Sequence, residues 1–246
     1  ALDTFKQFKR NPRKESVPSF KRLNYDIAYI YFKLKEYDYA LQYFKNFDLD
    51  NGSLDSSYQR DTYLRIGDCH FALKQYWPAM ENYNTSIALD QKLGAYPNFQ
   101  KAISYGFVDR NSKKISTLKK IIVDYPNDDL IDDALFELAL VYSEEKQDEK
   151  SISTYDQLIA SYEISPYIGK AALNKGLILY NQEKYELAVR VLEDVALSFN
   201  KYEIGLQAIT TLKEIAIEQG KVKDFNNWIK NNNLNQFSDI ELEKIQ

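Results

Sequence analysis

The only histidine, His70, stands beside the only cysteine, Cys69. A metal site needs three or four such donors to converge, and a nucleophile needs a base within hydrogen-bond reach. Neighbouring residues of a helix do not face each other, so packing is the expected role of both. Four carboxylates cluster at Asp128, Asp129, Asp132 and Asp133. The cluster has no glycine placed as in a calcium-binding loop. Acidic residues there suit the first turn of a helix, whose dipole favours negative charge, and Glu144-Glu145 reads as a solvated turn. No phosphate-cradling glycine loop, G-x-S-x-G or H-E-x-x-H is present. The sequence therefore predicts no enzyme, no cofactor and no metal.

Charge narrows the partners. Thirty-two Lys and Arg against 36 Asp and Glu leave a net charge of −4. Phosphate contacts dominate nucleic-acid affinity, and the dense basic stretches here are few. They are Lys6 to Lys14, and Lys113-Lys114 with Lys119-Lys120, each followed by acidic sequence. Nucleic acid is not expected, and no apolar run of 18 residues exists to span a membrane. A lone cysteine allows no intrachain disulfide. Eight glycines and six prolines in 246 residues are too few for the turns of an all-β fold.

The elements that carry these residues follow from self-similarity. Ala1-Leu2, Phe5-Lys6 and Phe8 recur 39 residues on as Ala40-Leu41, Phe44-Lys45 and Phe47, and Ala79 with Tyr83 lies a further 39 on. Upstream of Ala40 stand Ile27-Ala28, Tyr31 and Lys35-Glu36-Tyr37; upstream of Ala79 stand Ile66-Gly67, His70 and Lys74-Gln75-Tyr76. A third copy is degenerate (Ala102, Tyr105, Lys114, Leu118, Ile121). The fourth (Ala139, Tyr142, Ser151, Tyr155) and fifth (Gly176, Tyr180, Tyr185, Ala188, Leu192) are clear, and a weaker sixth runs from Leu206 to Trp228. Offsets of three and four residues place each set on one helix face, so each copy predicts two short antiparallel helices. Such helices are marginal alone and gain stability by stacking. Small residues (Ala28, Gly67, Ala102, Ala139, Gly176) fall where backbones must approach closely.

A small residue, an aromatic three further on, an aromatic before the second helix, then Ala with an aromatic four later resembles the tetratricopeptide repeat. His70 stands where Tyr is usual, while Asn24 and Ala172 depart at the early aromatic of the first helix. The resemblance implies an all-α, right-handed superhelix of about five to six helix-turn-helix repeats. The expected layout is a single array over 1–246: a half repeat at 1–20, repeats at 21–59, 60–94, 95–131, 132–168 and 169–205, and a degenerate repeat with a truncated next helix at 206–246. Steps of 35–39 and the Tyr125-Pro126 ending resemble a looser bacterial version common in Gram-negative envelope proteins. That likeness implies a periplasmic or outer-membrane-associated setting. The half copy at Ala1 and the capping box Ser238-Asp239-Ile240-Glu241 are expected of a chain that continues past both ends.

Such stacks imply binding of other proteins or peptides on the inner curve, on first-helix residues beside the packing positions. These are Tyr25, Tyr29 and Phe32; Arg65, Asp68 and Phe71; Phe99, Ile103 and Phe107; Phe136, Glu137 and Leu140; and Asn174, Leu177, Tyr180 and Asn181. An aromatic surface with few charges suits an extended or helical peptide; the alternative for each residue is packing on the adjacent helix. The basic clamp that grips chaperone C-terminal carboxylates is absent, so that ligand is rejected. Trp77, between Tyr76 and Pro78, is either a staple on its helix or an exposed anchor. Asp48 to Ser57 and Asn231-Asn232-Asn233 read as exposed loops. The function expected is a scaffold, in an envelope assembly or trafficking complex. A regulatory or substrate-recruiting arm of a larger enzyme and a self-associating module are the alternatives.

Overall fold

A computed structural model of the chain describes residues 22–49, 56–89 and 94–234, with positions 3, 4, 7 and 10. Residues 1–20, the loop centre at 50–55 and the Ser238–Glu241 box lie outside or largely outside the described residues. Among the described residues the secondary structure is helical, without strands, and forms six helix pairs. They are α1 (Leu23–Lys33) with α2 (Tyr37–Leu49), α3 (Ser56–Ala72) with α4 (Tyr76–Leu89), and α5 (Tyr96–Phe107) with α6 (Asn111–Asp124). The others are α7 (Ile131–Glu144) with α8 (Asp148–Ser161), α9 (Ile168–Asn181) with α10 (Tyr185–Ser198), and α11 (Glu203–Glu218) with α12 (Val222–Asn231). The chain divides into two compact units, Ala1–Ile131 and Asp132–Gln246. None of the described helices is long and apolar enough to cross a membrane.

Every pair turns in the same way. One residue takes the left-handed conformation: Lys35, Lys74, Asp109, Lys146, Glu183 and Gly220, with φ between 55° and 67°. The next residue donates its N–H five positions back, as Glu36 to Tyr31 O (3.0 Å), Gln75 to His70 O (2.8 Å) and Lys221 to Ala216 O (2.7 Å). This is a Schellman ending, which satisfies carbonyls the first helix leaves open. The second helix begins at once, with Ala40 N–H on Glu36 O and Ala79 N–H on Gln75 O. Three residues thus reverse the chain, so the two helices must pack antiparallel.

The small positions explain how close that packing is. A Cβ on Gly67 would lie 2.6 Å from the Tyr83 ring, and one on Gly176 would lie 2.6 Å from Leu192. Tyr83, Leu192, Phe44, Leu118 and Tyr155 are all fully buried, each the large residue of its pair. The third copy is irregular for a physical reason. Lys114 stands where Ala40, Ala79 and Ala188 stand elsewhere, and it is buried. Its stem fits because Gly106 leaves room: a Cβ there would be 3.1 Å from Lys114 Cδ. In the fourth copy Ser151 takes the small position and donates to Ala139 O at 2.8 Å.

Within the first unit, Leu23, Ile27, Ala28, Phe44, Ile66 and Cys69 form one core joining α1, α2 and α3. Within the second, Leu173, Leu192, Ala208, Leu212 and Ile229 join α9 through α12. The sixth copy is therefore a full helix pair. Two loop expectations change: helix α2 runs through Leu49 and α3 starts at Ser56, while Asn231 ends α12 and Asn233 (φ 57°) turns the chain.

Candidate partner-binding site

In the first unit, first helices α1, α3 and α5 bring most of the expected residues together. Tyr25 donates its O–H to Asp61 at 2.6 Å. Arg65 lies 5.7 Å from the Tyr29 ring and 5.8 Å from the Phe32 ring, and pairs with Asp61 (3.3 Å) and Asp68 (2.8 Å). Asp68 also accepts from Tyr83 and Tyr96, each at 3.0 Å, so one carboxylate holds α3, α4 and α5. Phe71 contacts Tyr76 and Phe107 edge-on, while Tyr76 and Phe107 stack at 4.5 Å and 8°. Phe107 is 57% exposed; Phe99 and Ile103 are half-buried on α5.

The charges of this strip are consumed among themselves. Burial works against the Arg65 guanidinium, but Asp61 and Asp68 outweigh it and raise its pKa. Burial raises the pKa of Asp68 against the opposing pull of Arg65 and the tyrosine hydroxyls. Burial also raises Tyr25, Tyr83 and Tyr96, with their carboxylate partners adding to it. These hydroxyls stay protonated at any physiological pH. What the strip offers outward is aromatic faces and edges.

In the second unit the expected residues are more dispersed. Phe136 is buried and stacks on Tyr167 at 4.7 Å, whose hydroxyl donates to Asp133 at 2.5 Å. Asn174 donates to the Tyr155 hydroxyl at 3.0 Å. Tyr180 donates to Glu218 at 2.8 Å, and Glu137, Leu140 and Leu177 are half-buried. Asn181 is exposed at the end of α9. Asp68 and Phe136 work inside the stack, so neither is open to a partner.

The other singled-out residues have plain roles. His70 is buried, with Nδ1 2.6 Å from Gln75 Oε1, and burial lowers its pKa. Burial pushes the Cys69 thiol up to about 12, which makes it a poor nucleophile. Asp128 accepts the N–H groups of Ala95 and Leu130 (3.0 and 3.1 Å), and Asp132 accepts from Ser165 at 2.6 Å. Trp77 is 54% exposed. Sequence reasoning missed Asp61, Tyr96 and Tyr167, and read Tyr83 as a packing residue only. The available signal was tyrosine and carboxylate about one repeat apart, as Tyr25 with Asp61 and Asp133 with Tyr167.

The tetratricopeptide repeat family matches residues 133–163, which coincide with α7 and α8. The chain thus contains a tetratricopeptide repeat of this family. No curated protein matches its sequence. Among solved structures the repeat chain is similar to the apo form of RapI (12% identity, TM-score 0.74, 94% of this chain and 68% of that one). It is also similar to YrrB, described as a TPR protein with an unusual peptide-binding site (14%, 0.61, 85% and 98%). A third is MamA 41-end from Desulfovibrio magneticus RS-1 (16%, 0.59, 71% and 92%). At these identities the likeness is one of fold: an all-α tetratricopeptide-repeat superhelix.

Proposed function

We propose that the repeat chain is a non-catalytic scaffold that holds a partner polypeptide along the strip formed by α1, α3 and α5. The observation that carries this reading is the pairing-off of the strip's charges. With Arg65, Asp61 and Asp68 bound to one another and to tyrosines, the surface left to a partner is Tyr29, Phe32, Phe71 and Phe107. Half-exposed aromatics of this kind dominate binding energy at interfaces. The peptide-binding site named for the similar protein YrrB supports the same use of the fold. A bacterial envelope assembly or trafficking complex is the setting we propose, supported by the loose repeat steps. Within the second unit, Tyr180 and Asn181 are proposed as partner contacts in their own right.

Affinity capture tests it. The chain should retain a partner from its native cells. The Phe32→Ala/Phe107→Ala double variant should lose most of that capture while keeping its helical circular dichroism. Undiminished capture by the double variant would remove the strip from the account.

A further inference from the structure

The basic stretch noted in the sequence has a place in the fold that the partner strip does not use. Helices α5 and α6 together carry five lysines (101, 113, 114, 119 and 120) and a single carboxylate, Asp124. Lys113, Lys119 and Lys120 are exposed on α6. Lys113, Thr117, Lys120 and Asp124 follow at steps of three and four, so they share one stripe of that helix. Lys101 on α5 is half-buried beside them. Its pKa is lowered first by burial, then by the charges of Lys120 and Lys113, so three ammonium groups repel one another on this face. Asp124 offsets them weakly, 3.9 Å from Lys120 with both side chains well exposed. A chain of net charge −4 thus keeps a concentrated positive face.

Next to that stripe is a groove of about 360 Å³ between α4 and α6, over the start of α5. Asn84, Asn98, Thr117 and Lys120 provide its polar groups, Asp124 adds one carboxylate, and Ile87 and Ile121 are its apolar walls. A carboxamide offers one donor and one acceptor edge, which match a peptide bond. We propose that the α5–α6 face docks an acidic polypeptide segment of a partner, its backbone lying in the α4–α6 groove and its carboxylates on Lys101, Lys113 and Lys120. Helix α6 spans about 20 Å at 1.5 Å per residue, the reach of about six extended residues. A nucleic acid is the rival occupant of a lysine stripe, and the oligonucleotide arm of the test separates the two.

The test uses the full 246-residue chain and a fluorescein-labelled octapeptide of alternating glutamate and serine, read by fluorescence anisotropy. A lysine–serine octapeptide is the control. The glutamate peptide should bind at least about ten-fold more tightly than the control, and weaken as salt rises. Lys113→Glu/Lys120→Glu should abolish that binding, and Asn98→Leu should weaken it several-fold, with melting temperatures unchanged. Phe32→Ala/Phe107→Ala should leave it untouched, so failure here and failure of the aromatic strip are separate results. Equal binding of the two peptides, or binding that survives Lys113→Glu/Lys120→Glu, would overturn the proposal. So would tighter binding to a single-stranded oligonucleotide or to anionic vesicles than to the glutamate peptide.

Discussion

Gly67 and Gly176 show what the small positions do. Tyr83 is fully buried and hydrogen-bonded to Asp68, so it cannot swing away from a new methyl group 2.6 Å from its ring. Overpacking of this kind costs about 1–3 kcal/mol. Alanine's better helix propensity returns up to about 1 kcal/mol. Gly67→Ala should therefore be less stable, by up to about 2 kcal/mol, measured by urea denaturation; a stabilised variant would show that the two helices are not in such close contact. Tyrosine supplies a second residue-scale prediction. The Asp133 hydrogen bond raises Tyr167 to about 12, and the Glu218 hydrogen bond raises Tyr180 to about 12. Burial raises Tyr155 to about 12 against an opposing hydrogen bond from Asn174. Folded pKa values above the ordinary value of 10 mean that these groups stabilise the fold fully below pH 10. That contribution disappears as pH climbs toward 12. Melting temperature should fall over that window together with the absorbance rise of tyrosinate; a flat profile would contradict the tyrosine–carboxylate contacts. The small and large positions were legible because spacing alone assigns them. The carboxylate partners were not, because a hydrogen bond between residues a whole repeat apart leaves no local pattern.

At the scale of the helix pair, the turn is the unit that repeats most faithfully. Five of the six left-handed turn residues carry side chains, and only Gly220 does not. A left-handed residue with a Cβ costs about 1–2 kcal/mol, which glycine avoids at an unfolded-state cost of about 0.4–1 kcal/mol. Lys74→Gly should thus raise the melting temperature slightly. Lys119→Gly, at an exposed interior position of α6, should instead cost about 1 kcal/mol of stability. Calorimetry of the two variants separates the cases, and destabilisation by Lys74→Gly would reject the turn geometry. This also explains what sequence reading could see. Helix pairs emerged from the recurrence of Ala40, Ala79 and Ala188, whereas the shared turn was hidden because lysine, aspartate and glutamate occupy the position where glycine would have announced it. Lys114 hid the third pair in the same way, since its compensation by Gly106 requires two helices in contact.

For the whole molecule, each compact unit draws its stability from neighbouring pairs, with cores that run from α1 to α3 in one unit and from α9 to α12 in the other. The proposed strip follows first-helix positions that the sequence singled out by their spacing. Its charge pairing was not legible, because only the fold pairs Arg65 with Asp61 and Asp68 and turns Asp68 inward. Site-specific photo-crosslinking addresses the scaffold reading most directly. A photoreactive phenylalanine analogue placed singly at Phe32, Phe71 or Phe107 should capture the partner. The same group at Tyr39, exposed on second helix α2, should not. Crosslinks from position 39 with none from 32, 71 and 107 would contradict the account.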